Sequence, residues 1–116
     1  MKVQTRYIPS LKKEVQFTIG QDAEDNFTII DNSEPNDIWF HLADESSAHV
    51  IAKIPDIKLD KKQKRQIITQ GAVICKENSK SKSKKGVSII YAEIQNVSKS
   101  TPIGTVIVNN KKTIVI

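Results

Sequence analysis

The residues with the most chemistry available to them are two histidines, one tryptophan and one cysteine in a chain of 116. Three of the four fall in one stretch. Asp37-Ile38-Trp39-Phe40-His41-Leu42 is followed, after a short gap, by Ser46-Ser47-Ala48-His49-Val50. Imidazoles bind metals, move protons and exchange hydrogen bonds, so three chemistries arise. A zinc site would take His41 and His49 with Asp44, Glu45 or Cys75. Two histidines without a firm third ligand support it weakly, and no metal or other cofactor is expected. A nucleophilic site would take Ser46 or Ser47 with His49 and Asp44. Those residues are neighbours in one loop, whereas a triad needs convergence from separate elements on an oxyanion hole. Gly20 stands alone, so no glycine-rich phosphate cradle is present. No catalytic residue is assigned, and the chain is not expected to be an enzyme. The third chemistry is nucleic-acid contact. Trp39 and His41 would stack on an unpaired base if exposed, and the histidines would meet phosphate or ribose. The structural alternative makes Trp39 a core residue and bonds the histidines to Asp37, Ser47 or backbone.

Those residues need elements to hold them. Residues 37–42 and 48–54 alternate as two strands of a hairpin joined by Ala43-Asp44-Glu45-Ser46-Ser47. A simple antiparallel register sets His41 opposite His49, Trp39 opposite Ile51 and Asp37 opposite Lys53. The other face then pairs Phe40 with Val50, Ile38 with Ala52 and Leu42 with Ala48, and is purely apolar. Upstream, residues 1–14 read as a lead-in broken by Pro9-Ser10. Val15-Gln16-Phe17-Thr18-Ile19 reads as a strand, Gly20 to Asn26 as a polar turn, and Phe27-Thr28-Ile29-Ile30 as the strand completing a first hairpin. Downstream, Asp60 caps a helix from Lys61 to about Asn78. Its apolar positions Ile67, Ile68, Gly71, Ala72, Ile74 and Cys75 form one packing face, and Gly71 marks close approach to the sheet. Asn78 to Gly86 is a Ser/Lys tract expected to be a mobile loop. Val87 to Ile94 is a strand, 95–103 a polar connection, and Thr105–Val108 with Thr113–Ile116 a closing hairpin about Asn109-Asn110. The sum is an α+β domain: a mostly antiparallel sheet of about six or seven strands with one principal helix packed on it.

Charge localises the function further. The net charge is +5. Residues 1–57 carry five Lys or Arg against ten Asp or Glu, whereas residues 58–85 carry ten against two. A basic block in an otherwise acidic-to-neutral chain marks an anion-binding surface or a solvated lysine-rich face. Lys61, Lys62, Lys64 and Arg65 crowd the start of the helix, where the helix dipole disfavours cations. Lys76, Lys80, Lys82, Lys84 and Lys85 follow. With Asn26, Asp37, Trp39, His41 and His49 they make up the candidate nucleic-acid-binding set. The single cysteine excludes an intrachain disulfide, no apolar run is long enough to cross a bilayer, and the N-terminus lacks a signal-peptide block. A cytoplasmic location away from membranes is the expectation.

The Asp37-to-His41 segment with Ser46-to-Val50 resembles the signature of the NFACT-R domain. That domain is the RNA-binding module of the NFACT ribosome quality-control factors. Its pattern reads Asp, any residue, Trp, Phe or Leu, His, then a short loop, a small residue, Ser or Ala, His, Val. Gly20 through Asn26 is similar to the family's glycine-to-asparagine turn, Val87 to Tyr91 to its Val-x-Val-x-Tyr strand, and Gly104 to Ile116 to its ending. The Ser/Lys tract lies where the family has a serine and basic segment. The departures are Gln21 for a usual basic residue, Phe27 for an acidic one, Ser47 for the glycine of the long factors, and a 79–85 tract without the Ser-Lys-Ala-Arg sequence common in them. The resemblance covers residues 15–116 and looks closest to the stand-alone, single-domain branch. It implies an RNA-binding module for structured RNA, tRNA or rRNA, near the ribosome or its associated proteins. The alternatives are a generic polyanion binder that also takes DNA, and a domain that docks on a ribosome-associated protein.

Overall fold

The computed structural model describes residues 1–116, and its frame is a six-stranded antiparallel sheet. In chain order the strands are β1 (Lys2–Ile8), β2 (Lys13–Ile19), β3 (Ile38–Leu42), β4 (Val50–Ala52), β5 (Ser88–Glu93), β6 (Val97–Lys99), β7 (Val106–Val108) and β8 (Lys112–Val115). The helices are α1 (Ala23–Asp31) and α2 (Lys61–Glu77). The main sheet runs β1-β2-β4-β3-β5-β8, and β6 and β7 form a separate two-stranded ribbon. The fold is α+β, as expected, with eight strands and a second helix.

The central hairpin has the expected register: Ile38 pairs with Ala52, Trp39 with Ile51 and Phe40 with Val50. Alternation along β3 sends Ile38, Phe40 and Leu42 to one face and Trp39 and His41 to the other. Helix α2 covers the first face. Its seventeen residues begin at an Asp60 capping box in which the Asp60 carboxylate accepts from Gln63 N–H and the Gln63 amide accepts from Asp60 N–H. Ile67, Ala72, Ile74 and Cys75 pack with Phe17, Phe40, Val50 and Ile89 in the larger core. Gly71 lies directly on the Phe40 ring, so the helix approaches the sheet more closely there than a side chain would permit. The other face carries a smaller core of Ile29, Ile30, Trp39, Ile51 and Ile94, roofed by α1 and by the β6–β7 ribbon. Burying a ring as large as Phe40 or Trp39 stabilises by roughly 2–3 kcal/mol, so both faces of β3 hold the fold.

Four expectations change. Residues 1–14 are no irregular lead-in: β1 pairs with β2 from Lys2↔Ile19 to Ile8↔Lys13. The apolar alternation of Val3 and Tyr7 lies on the exposed face of this edge strand, whereas the inward face carries half-buried Gln4 and Arg6 before Ile8, so no apolar inward face announces it. The expected strand at Phe27–Ile30 is helical. The Asp22 side chain caps α1 by accepting from Asp25 N–H, and Asp25 in turn accepts from Gln21 N–H. That cap, with Asn26, Ile29 and Ile30 buried on one side, outweighs a four-residue apolar run that fits either structure. The closing hairpin does not form. β7 pairs with β6, and β8 crosses to the main sheet beside β5. Asn110, at φ 53°, still makes the left-handed bend, but it redirects the chain between sheets. Finally, the Ser/Lys tract is tied down. Ser79 Oγ donates to Lys76 O, and Ser81, itself buried, donates to the Glu45 carboxylate.

Candidate nucleic-acid interface

The rare residues of the hairpin meet at the floor of a cleft of about 1160 Å³ on the α1 side of the sheet. Trp39, His41 and His49 line it, with Asn26 from α1 and Lys80 from the Ser/Lys tract. The pairing of β3 with β4 stops at Phe40↔Val50, one residue short of the two histidines, which frees their side chains to turn toward each other. His41 stacks on Trp39 at 5.7 Å between ring centres and 9° between planes. His49 meets both edge-on, 5.4 Å from Trp39 and 5.1 Å from His41.

The hydrogen bonds fix the state of each ring. The Trp39 indole N–H can only donate, and it donates to His49 Nδ1 at 3.1 Å. The Leu42 carbonyl can only accept, and His41 Nδ1 lies 2.6 Å from it, so Nδ1–H donates. Burial disfavours the charged form of both rings. His41 is held below its ordinary value by desolvation, partly offset by the Leu42 carbonyl. His49 is pushed down to about 4 by burial and then by the neighbouring His41. Both are therefore neutral at pH 7. Trp39 is only 1% exposed, which makes it a core residue that orients the histidines and removes it as a stacking platform for a base.

Two further members of the sequence-derived set have structural tasks. Asp37 is buried, and its carboxylate accepts from Glu34 N–H and Ile54 N–H, both at 2.9 Å. It fixes both ends of the loop leading into β3 and the exit from β4. Asn26 is buried as well. Its Oδ1 is 3.4 Å from His49 N, and a Cβ on Gly20 would overlap that same oxygen. Gly20 and Asn26 thus form a tight joint between β2, α1 and the strand bearing His49, which explains the glycine-to-asparagine spacing seen in the sequence.

The basic block divides. Its two ends lie at opposite ends of α2, about 24 Å apart along the axis. Lys80 borders the cleft, while Lys82, Lys84 and Lys85, which follow it in the chain, are exposed and do not line it. Lys61, Lys64 and Arg65 instead line a separate groove of about 650 Å³ with Lys112, on the side of the sheet facing α2. Their spacing puts them on one side of the helix with Ile68. Lys62 is exposed, and Lys76 donates to the Ile116 carbonyl at 3.1 Å. The sequence reading missed Lys2 and Lys111, which join Lys80 at the cleft. Neither lies in the basic block, and only the β1 and β8 pairings bring them there. Two carboxylates also border the cleft, and each is occupied: Asp22 caps α1, and Glu45 accepts from Ser81.

The rival chemistries have no assembled site. Cys75 packs with the α2 side of the sheet, and burial pushes its thiol up to about 12. No three metal-ligating side chains come together. No hydrogen bond joins a serine to His49: Ser47 Oγ accepts from Leu42 N–H and donates to Ala48 O, and with Nδ1 accepting from Trp39 the neutral His49 carries its proton on Nε2 and cannot take one from a hydroxyl there.

Comparison with known proteins agrees with this architecture. One solved structure, the C-terminal part of a fibronectin/fibrinogen-binding protein from Streptococcus suis, superposes with a TM-score of 0.78 at 20% sequence identity. The match covers 97% of this chain and 44% of that one, so the chain spans less than half of its length, and the likeness is one of fold. No curated protein matches. The model of the NFACT protein RNA binding domain matches residues 6–110. With nearly the whole fold inside that match, the chain belongs to the NFACT RNA-binding domain family.

Proposed function

We propose that this domain binds structured RNA, of the tRNA or rRNA kind found at the ribosome, with the cleft at the end of β3 as its seat. Membership in an RNA-binding family supports RNA as the ligand. The observation that carries the choice of surface is the convergence of Lys2, Lys80 and Lys111, from three distant segments, around a floor of two neutral imidazoles. Lysines at the rim neutralise phosphates, which supplies most of the affinity and little sequence preference. Lys82, Lys84 and Lys85 are exposed just after Lys80 in the chain, and the Ser81–Glu45 contact ties the start of their tract to the cleft's edge. Lys61, Lys64, Arg65 and Lys112 form a second cationic surface at the far end of α2, to which a long RNA would extend.

The test is binding of a tRNA by the full chain across a salt series, with two multiple variants. Changing Lys80, Lys82, Lys84 and Lys85 together to Ala is expected to weaken binding and flatten the log–log salt slope by about 3. Changing Lys61, Lys64, Arg65 and Lys112 together is expected to have the smaller effect. Unchanged binding in the first variant with loss in the second would move the seat to the other groove. Equal affinity for duplex DNA and structured RNA would make the domain a general polyanion binder.

A further inference from the structure

His41 and His49 are held in opposite tautomers by partners that permit no other arrangement. Because His41 spends its Nδ1–H on the Leu42 carbonyl, its Nε2 is a bare acceptor. Because His49 Nδ1 accepts the Trp39 indole N–H, its proton lies on Nε2, a donor. Neither Nε2 has a protein partner, and neither is fully sealed, since the one sealed, unpartnered side-chain polar atom is Arg6 Nε; His49 as a whole is 3% exposed, so only its edge reaches the cleft, whereas His41 is half-buried. Both rings line the cleft, with centres 5.1 Å apart. The cleft floor therefore offers one fixed acceptor and one fixed donor within the span of a single nucleotide, beneath a rim of lysines.

We infer that this histidine pair receives the neutral hydrogen-bonding edge of one unpaired nucleotide, while the rim lysines take the phosphates. The inference rests on the cleft being the RNA seat. Phosphate is a poor ligand for the pair, because an imidazole acceptor faces an anion with a lone pair and neither ring carries charge at pH 7. A nucleobase edge fits, since each base carries a donor and an acceptor side by side. Adenine would give its amino N–H to His41 Nε2 and take His49 Nε2–H on its ring nitrogen. A 2′-hydroxyl, which also both donates and accepts, is the other source of the same chemistry. The rings are preorganised by Trp39, so ordering them on binding costs little.

The experiment measures affinity of the full chain at pH 7.5 for four hairpin RNAs of one length. One has a single adenosine bulge, one an abasic ribose there, one a 2′-deoxyadenosine there, and one is fully paired. Two hydrogen bonds predict about tenfold tighter binding of the adenosine bulge than of the paired RNA. Loss of that gain in the abasic RNA identifies the base edge; loss in the deoxy RNA identifies the ribose hydroxyl. Equal affinity for all four overturns the inference and leaves the RNA reading standing, whereas binding to none overturns both. His41→Phe, which retains a ring to stack on Trp39 and lacks Nε2, is expected to abolish the bulge preference. A preference that persists in it removes the pair from the contact. Nitrogen-15 spectra of the free protein check the premise independently of any variant: His41 protonated at Nδ1 and His49 at Nε2 is the expected pattern, and any other assignment overturns it.

Discussion

Replacing Gly71 by Ala separates two opposed effects of known sign. Gly71 lies in the interior of α2, where Ala is favoured over Gly by about 1 kcal/mol on helix propensity alone. Were that face of the helix open, the substitution would stabilise. The structure reverses the sign. A Cβ at Gly71 would overlap three atoms of the Phe40 ring, with even the third, Cε2, at 2.8 Å. Phe40 has no exposed surface and is enclosed by the larger core, so the ring has nowhere to rotate. Overpacking of this kind costs ~1–3 kcal/mol, and three overlapping atoms on a fixed ring put it at the upper end. The net expectation is a loss of about 2 kcal/mol. Urea denaturation followed by far-ultraviolet circular dichroism measures it as a lowered midpoint with an unchanged slope. The same substitution in a Phe40→Leu background, where the ring's far end is gone, should cost less, with a coupling of about 1 kcal/mol or more. Stability equal to or above that of the parent, or additive effects in the cycle, would refute the close packing of α2 on β3.

Two further predictions concern the hairpin. Both histidines have folded-state values below their unfolded value near 6.5. The unfolded chain therefore binds more protons between the two values, and stability rises with pH across that window. The contribution is present above about pH 6.5 and is lost as pH falls toward 4. For His49 alone it reaches at most ~3 kcal/mol. Urea midpoints at pH 7.5 and 4.5 should fall further apart for the parent than for a His41→Gln, His49→Gln double variant; equal separations would reject the assignment. Asp37→Ala strands two backbone N–H groups that its buried carboxylate satisfies, so it should cost ~2–4 kcal/mol in a thermal or urea melt. RNA affinity per folded molecule should survive, and its loss in a folded variant would return Asp37 to the interface.

The contrast between α2 and α1 shows what local signals carry. In α2 the Asp60 cap, a three-four periodic apolar face and the absence of proline all agree over seventeen residues, so its bounds and the contact of Gly71 were readable. In α1 the apolar stretch Phe27–Ile30 is too short to distinguish periods, and the deciding signal was the Asp22–Asp25 cap ahead of it. The β6–β7 ribbon and the crossing of β8 were not readable. Strand pairing is chosen between segments far apart in sequence, and three- or four-residue strands with half-exposed faces specify a partner weakly.

The sequence by itself determined the hairpin register, the apolar face of β3 and the family, and it singled out histidine, tryptophan and lysine as the candidate residues. Their spacing is local, and a period of two fixes which side chains share a face. Only the tertiary structure decided how they are used. It buried Trp39 under α1 and the ribbon, and so made it a donor to His49 where the sequence left open a platform for a base. It gave Asp37 and Asn26 to the backbone, divided the basic block between two ends of a helix, and brought Lys2 and Lys111 to the cleft from opposite ends of the chain. Tautomer, burial and the gathering of distant charges depend on what packs above a strand, and that is settled by contacts between segments that no local pattern encodes.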